Sequence, residues 1–236
     1  MCSLPDRTPL VEGQRGEFRQ VAANRGAGWH QWNFAANWAV QLLFLIEHET
    51  FNSQSIYEGI TNWSSGDRDA ITPNTRNRSV VQTGASLEAG NASTFSSTSG
   101  DASSVFSYRG IENFYGNIWK FEDGINIHDN HPYVAYLPQN FADDTQSNYL
   151  DLGVTMPASN GYQEQIHDTV GLITSEVGAS DSTYLTDYYW QNPDWRVALS
   201  GGYSRNGSRA GFAARRANYS SSARNSLIGS RACAKF

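Results

Sequence analysis

The pattern of hydrophobic and polar positions divides the chain into segments of different character. Residues 1–20 are polar and contain two prolines, so we expect an N-terminal arm or linker, which we place at residues 1–23. Asn33 is a typical helix N-cap and precedes an apolar segment, which predicts a helix over residues 34–48. Because this helix is apolar on nearly every side, we expect it to be buried.

Strands and loops are predicted for most of the remaining chain. The pattern indicates turns and short strands over residues 52–82, and a loop or hairpin over the Ser/Gly/Ala/Thr-rich residues 84–107. Alternation over residues 117–122 predicts a strand with one aromatic face. Further strands are predicted at 133–137 and 195–200. Residues 203–226 contain almost no aliphatic side chains and show no clear period.

Composition constrains the surface more than the core. The 236 residues fit one large domain or two small ones, and 39% hydrophobic with 13% aromatic residues suffices for a sizeable core. Charged residues make up only 17%, below the roughly 25% that is usual in soluble domains. We therefore expect a surface dominated by Ser, Asn, Gly, Thr and Tyr.

The charges are distributed unevenly. The net charge of −6 argues against a general nucleic-acid binder. Residues 196–236 nevertheless carry eight basic and no acidic residues, whereas residues 1–195 carry nine basic and all 23 acidic ones. The basic segment either docks on the acidic body or forms a face that meets a ligand, and the charge pattern alone favours neither.

Membrane, disulfide and metal signals are weak. The longest apolar run, residues 38–46, is too short to span a bilayer, and no signal peptide opens the chain. Cys2 and Cys233 are either two free thiols or a terminal disulfide. The spacing of cysteines and histidines does not suggest a zinc site, and no EF-hand loop is present.

Two segments resemble the formylglycine-generating-enzyme subtype of the C-type lectin fold. Residues 113–121 are similar to its G-N-x-W-x-[WF] strand. Residues 195–202, ending in Gly201-Gly202, and residues 228–231, ending in Arg231, are similar to its closing R-x-x-x-x-G-G and I-G-x-R motifs. The resemblance implies an α+β, C-type lectin-like domain over residues 24–236, in which a late arginine ties loops together.

The chain more closely resembles the variable proteins of diversity-generating retroelements. The carrying segments are the apolar residues 39–47, Phe51-Asn52-Ser53-Gln54 and the Tyr-Arg-Gly-Ile-Glu-Asn block at 108–113. In that family the last strands and loops form a ligand-binding face, here expected at about 196–236, which is rewritten at template adenines. Asn codons ending in a pyrimidine then become any NNY codon, a set that excludes Trp, Met, Lys, Gln and Glu.

The composition of residues 203–226 agrees with this resemblance. The segment contains none of the five excluded residue types, whereas a window of that length would hold about three by chance. Its Tyr, Arg, Ser, Asn and Gly residues are those of an antibody-like binding surface. An ordinary solvated loop is the alternative. Where the family usually has a Trp after the glycine pair, this chain has Ser204.

By position, the resemblance implies ten ligand-facing residues around Gly207 and Gly211. They are Tyr203, Arg205, Asn206, Ser208, Arg209, Ala213, Arg215, Arg216, Asn218 and Tyr219. The implied partner is a cell-surface protein or glycan, not nucleic acid, and membrane insertion is not expected. The implied location is a virion tail tip or bacterial cell surface, with a homo-oligomer, a trimer at a phage tail tip, as the matching assembly.

Catalysis is not expected. The formylglycine-generating enzymes need active-site cysteines, and only Cys233 lies in the second half of the chain. No GxSxG nucleophile motif is present. Asp67-x-Asp69, Asp143-Asp144 and the histidines of residues 128–131 fit polar turns better than metal sites, so we expect no metal or cofactor. The alternatives are an enzyme of the sulfatase-modifying-factor type, with a reactive group on residues 108–131, and a purely structural virion subunit.

Overall fold

The computed structural model describes residues 9–62, 94–95 and 105–234. Its helices are α1 (Arg15–Ala23) and α2 (Phe34–His48). Its strands are β1 (Trp29–Gln31), β2 (Thr94–Phe95), β3 (Val105–Tyr108), β4 (Ile111–Glu112), β5 (Trp119–His128), β6 (His131–Val134), β7 (Leu150–Asp151), β8 (Gly161–Ile166), β9 (Thr174–Ala179), β10 (Tyr188–Gln191), β11 (Trp195–Ser200), β12 (Arg215–Tyr219), β13 (Ile228–Gly229) and β14 (Ala232–Ala234).

One large sheet organises the described residues. Its strand order is β7-β6-β5-β11-β12-β10-β8-β9, with β13 added beside β5. The β10–β12 and β13–β5 pairs are parallel, and the other pairs of this sheet are antiparallel. Small antiparallel groupings join β1 to β14 and β2 to β3 to β4. The architecture is therefore α+β, with far more sheet than helix.

Helix α2 has the bounds that the sequence predicts, but it is not fully buried. The Asn33 side chain accepts a hydrogen bond from the Ala36 amide at 2.9 Å and caps the helix. The polar Asn37 and Gln41 lie on the buried face, while Leu43 and Ile46 are 41% and 75% exposed. The expectation of full burial was wrong because the described residues cover one face of the helix, where Asn37 donates to Glu122 and Gln41 donates to the Phe212 carbonyl.

Residues 15–23 do not extend away from the domain as an arm. Arg15 is fully buried, and its guanidinium donates to the Ile125 carbonyl and to Asp143, both at 2.7 Å. Phe18 is 1% exposed and packs on Phe121 with ring centroids 5.9 Å apart. The polar sequence pattern did not predict α1, because Arg15 and Arg19 form ion pairs inside the fold instead of facing water.

Strand β5 lies between β6 and β11 in the sheet, and its first four residues overlap the strand predicted at 117–122. The strand is buried on both faces, including Lys120 and Glu122, which sit opposite the aromatic face. The Lys120 ammonium donates to the Gly116 carbonyl at 2.8 Å, and burial holds the pKa of Lys120 well below its usual value. The predicted strand at 195–200 is confirmed as β11 with the same bounds, and β6 overlaps the prediction at 133–137.

Other expectations lie partly outside the described residues. Of the predicted loop or hairpin at 84–107, the structure describes residues 94–95 and 105–107, where β2 pairs antiparallel with β3. Of the turns and strands predicted at 52–82, it describes residues 52–62, which include a single turn of 3-10 helix at Ser53–Ser55.

Gly116 allows two segments to approach closely. Its φ is +75°, and a Cβ atom at this position would lie 2.6 Å from the Ile60 carbonyl oxygen. Gly110 has nearly the same φ, +77°, but a Cβ atom there would meet nothing within 4 Å among the described residues. The two glycines therefore separate the cost of a positive φ from the cost of a steric clash.

We expect Gly116→Ala to destabilise the fold more than Gly110→Ala. The positive φ costs each variant about 1 kcal/mol, and the clash with Ile60 costs Gly116→Ala about 1–3 kcal/mol more. Urea unfolding of both variants measures the difference. Equal losses would show that the backbone at Ile60 moves aside without cost.

Candidate ligand-binding site

Strand β12 carries the candidate site, although the sequence pattern does not predict it. It lies between β11 and β10, with Arg215 beside Tyr189 and Arg216 beside Trp190. Because side chains alternate along a strand, Arg215 faces the α2 side of the sheet and Arg216 faces the opposite side. The adjacent arginines therefore have different environments.

An open pocket of about 700 Å³ lies on the Arg216 side. Six of the ten predicted residues line it, namely Tyr203, Arg205, Asn206, Arg209, Arg216 and Tyr219. The remaining walls are Thr61, Asn62, Trp190, Gly207 and Leu227. Sequence reasoning missed Trp190 because only the parallel pairing of β10 with β12 brings this ring beside Arg216.

The structure corrects two of the ten positions. Ala213 is 4% exposed and Arg215 is 2% exposed, so neither faces a ligand. Arg215 instead forms an ion pair of 3.8 Å with the buried Glu122. Burial raises the pKa of Glu122, although the nearby Arg215 opposes this shift.

Ser208 and Asn218 are half-buried and do not line the pocket. The Ser208 hydroxyl lies 2.9 Å from the Tyr162 hydroxyl and donates to Asp181 at 3.2 Å. The Asn218 carbonyl accepts a hydrogen bond of 3.4 Å from Asn192. Both residues therefore lie beside the pocket, where their ligand-facing role stays a prediction.

Three aromatic rings surround the Arg216 guanidinium. Its Cζ atom lies 5.5 Å from the ring of Trp119 and 5.2 Å from the rings of Trp190 and Tyr219, which we call the aromatic cage. Trp119 and Trp190 pack edge to face, with centroids 5.3 Å apart. Desolvation lowers the pKa of Arg216 from its usual value, but a guanidinium keeps its charge. The cage therefore holds a cation through the quadrupoles of the rings.

The described walls of the pocket are positively charged. Arg205, Arg209 and Arg216 line it, and none of the lining residues that the structure describes is an acid. The Cζ atom of Arg209 lies 5.0 Å from the ring of Tyr188. Within residues 9–62, 94–95 and 105–234, no carboxylate forms an ion pair with any of the three arginines.

The loop at residues 203–214 is held mainly through its main chain. Side chains from other parts of the fold bind its peptide groups: Gln54 binds the Gly207 and Ala210 carbonyls, Gln41 the Phe212 carbonyl, Gln163 the Ala213 carbonyl, Ser53 the Phe212 amide and Asp187 the Ala213 amide. These contacts do not depend on the side chains of the loop. Its path is therefore largely independent of the residues that it presents to solvent.

Asp187 is the most unusual of these partners. Its carboxylate accepts the Ala213 amide at 2.7 Å, and a Cβ atom at Gly211 would lie 2.1 Å from it. Desolvation raises the pKa of Asp187 to about 7, against the lowering effect of hydrogen bonds from Ala213, Thr186 and Ala214. A buried, ionisable carboxyl group therefore supports the floor of the 203–214 loop.

The candidate metal and thiol residues have structural surroundings. His128 and His131 pair across a two-residue hairpin turn, and Asp143 binds Arg15 and Arg19. Across the described residues, no group of three or more His, Cys, Asp or Glu could hold a metal ion. Burial raises the pKa of the Cys233 thiol to about 11. Cys2, Asp67 and Asp69 lie outside the described residues.

Arg231 ties two loops together, as the sequence resemblance implies for a late arginine. Its guanidinium donates to the carbonyls of Glu112 and Asn113, the second at 2.8 Å, so it joins the segment after β13 to the loop before β5. Among the described residues, no helix has the length and apolar character needed to cross a membrane.

Comparisons with known proteins give little. No family model matches the chain, and no curated protein is similar to it. A solved structure described as "Major Tropism Determinant U1 Variant" is similar at 17% identity and a TM-score of 0.39, over 94% of this chain and 38% of that chain. This chain thus spans little more than a third of that protein's length. At this identity and TM-score, the similarity carries no argument about ligand or partner.

The neighbouring arginines of β12 provide a matched pair of variants. We expect Arg215→Ser to lower the free energy of unfolding by about 3 kcal/mol, because it leaves Glu122 buried without its cation. Arg216→Ser removes the contacts with the aromatic cage and is expected to cost about 1 kcal/mol. Chemical denaturation of both variants measures the difference. Equal costs would contradict the opposite orientations of the two side chains.

Asp187 makes stability dependent on pH. Desolvation raises the folded-state pKa of Asp187 from 3.8 to about 7. The protonated carboxyl group therefore stabilises the fold fully below about pH 4, and this stabilisation is lost as the pH rises through 7. Asp187→Asn cannot ionise and lacks this loss. We therefore expect the melting temperature of the wild type, relative to Asp187→Asn, to fall between pH 4 and pH 8. Parallel melting curves across this range would show that Asp187 ionises normally.

Proposed function

We propose that this chain is a recognition protein that displays a replaceable ligand-binding surface on a rigid frame. The surface is the pocket formed by β10, β12 and the 203–214 loop, and its partner is a protein or glycan on a cell surface. The observation that carries the proposal is the attachment of this loop. Buried side chains outside the loop hold its peptide groups, while Arg205 and Arg209 are exposed.

This arrangement suits a surface that changes its sequence. A side chain whose atoms leave the core contributes little to stability, so its replacement costs little. Tyr and Arg in a concave site also supply contact area and directional hydrogen bonds at a low entropic cost. The chemical content of the pocket can therefore change while the frame stays folded.

We further propose membership of the variable proteins of diversity-generating retroelements, with a C-type lectin-like fold of the formylglycine-generating-enzyme subtype. The support is the sequence resemblance, the absence of Trp, Met, Lys, Gln and Glu from residues 203–226, and the tie made by Arg231. The domain then includes α1 and runs to residue 236, with its variable part within about 196–236. A virion tail tip or a bacterial cell surface is the proposed location.

We propose no catalytic role. The alternative enzyme would need a reactive group on residues 108–131, and none of these residues lines the pocket. The structural-subunit alternative would place residues 203–226 at a contact between subunits. It is distinguished from recognition by binding to cells, because a structural subunit would not bind them through the pocket.

The test combines four replacements in the pocket, Arg205→Ser, Arg209→Ser, Arg216→Ser and Tyr219→Ser. We expect the variant to stay folded and its melting temperature to fall by less than about 10 °C, because Arg205 and Arg209 are exposed and Arg216 and Tyr219 are half-buried at the margin of the core. Labelled wild-type protein is expected to bind some members of a panel of bacterial strains, and the quadruple variant to lose that binding, as measured by flow cytometry. Unchanged binding, or loss of the fold, would contradict the display of a replaceable surface.

A genomic observation tests the retroelement separately. We expect a reverse-transcriptase gene and a near-copy of the coding repeat for about residues 196–236, differing at adenines, close to this gene in its source genome. Sequencing of the flanking region detects both. If neither is present, retroelement diversification is wrong, whereas a fixed binding surface remains compatible with the structure.

A further inference from the structure

The chemistry of the pocket indicates the kind of ligand that it accepts. Arg205 and Arg209 are exposed on its walls, whereas the aromatic cage holds Arg216 half-buried. The described residues contribute no ion pair or hydrogen bond to the guanidinium of Arg216, and its Nε atom is buried without a partner. Interaction with ring faces attracts the positive charge but leaves strong N–H donors unused.

An anionic ligand group would satisfy these donors. A carboxylate accepts two parallel hydrogen bonds from a guanidinium, and such charge-assisted bonds are stronger than neutral ones. The interaction gains strength where the cation is already partly desolvated, as it is in the aromatic cage. Arg205 and Arg209, which are more exposed, would chiefly steer an anion towards the pocket, an effect that salt screens.

The shape of the pocket favours a saccharide over a peptide. A peptide that binds by strand addition needs a free sheet edge, but β12 and β10 are each paired on both sides. A helical peptide needs an apolar groove, and Leu227 is the single aliphatic wall residue among those described. A concave volume of about 700 Å³ lined with guanidinium, amide and hydroxyl groups suits one or two polyhydroxylated rings.

We propose that this pocket binds an acidic saccharide, with the carboxylate of the sugar acid against Arg216. The proposal rests on the proposed recognition function and names the class of ligand for the same site. Arg216 is then the residue that distinguishes an acidic sugar from its neutral counterpart, because among the three arginines of the described walls it combines a half-buried charge with unused donors. Binding is expected to weaken as the salt concentration rises.

The experiment uses the full purified chain on an array of matched probes. Each pair consists of an acidic oligosaccharide and its neutral counterpart: glucuronate-terminated with glucose-terminated, galacturonate-terminated with galactose-terminated, and N-acetylneuraminate-capped lactose with uncapped lactose. An acidic peptide, acetyl-tetraglutamate amide, is the fourth probe. We expect at least one acidic saccharide to bind about tenfold more tightly than its neutral counterpart, the effect of one charge-assisted contact. Biolayer interferometry gives the affinities.

Arg216→Gln and Arg224→Gln remove the same charge, so a comparison of the two variants locates the effect. Arg216→Gln is expected to remove the preference for the acidic saccharide, and Arg216→Lys to retain part of it. The control is Arg224→Gln, since Arg224 is half exposed, pairs with Glu17 and does not line the pocket. We expect it to leave the affinity within about twofold of the wild type, because Arg224 is already paired with Glu17 and solvent screens exposed charges. A direct readout of the fold is the melting temperature of each variant.

Three results would overturn the inference. The first is equal affinity for the acidic and the neutral saccharide in every pair. The second is an equal loss of affinity for the acidic saccharide in Arg216→Gln and Arg224→Gln. The third is tighter binding of the peptide than of every acidic saccharide. If any of them occurs while the quadruple pocket variant still loses binding to cells, recognition by this pocket stands and the ligand class is wrong. If cell binding is also unaffected by the quadruple variant, the proposed function fails as well.

Discussion

The alternation of side chains along β12 is the constraint on which the rest of the site depends. The strand is fixed between β11 and β10, so Arg215 must face the α2 side and Arg216 the other. Arg215 then pairs with Glu122, a buried carboxylate that also accepts a hydrogen bond of 3.1 Å from Asn37. A shift of one residue in the register would turn each arginine to the opposite face of the sheet. Arg216 would then lie in the core, and Arg215 would lie in the pocket without Glu122. The frame and the binding surface are thus set by the same pairing.

A second principle separates fold from recognition. Hydrogen bonds to peptide groups hold the 203–214 loop, and they are made by side chains distant in sequence, such as Gln41 and Gln163. Peptide groups are the same in every residue except for the missing N–H of proline, so such contacts tolerate changes in the side chains that they support. Positions where a side chain itself enters the core, such as Phe212, lack this tolerance.

Part of the basic segment docks on the acidic body, and another part lines the pocket of the candidate site. Arg215 and Arg224 pair with acids of the body, Glu122 and Glu17 respectively, and Arg231 binds carbonyls. Arg205, Arg209 and Arg216 instead line the pocket, whose described walls include no acid. Net charge over a segment cannot make this distinction, because it depends on which face of the sheet each arginine occupies.

The sequence by itself determined the elements whose signal is local. These are α2 with its Asn33 cap, the strand at 195–200 and the polar, Ser- and Arg-rich character of the chain after Gly202. Only the tertiary structure decided what depends on distant partners. Helix α1 is one example, because residues more than 100 positions away bind its arginine side chains. The position of Trp190 beside Arg216 and the burial of Ala213 and Arg215 are the others. The physical reason is that the periodicity of a sequence shows which side chains lie on the same face of a helix or strand. Strand pairing and long-range hydrogen bonds decide which other residues cover that face.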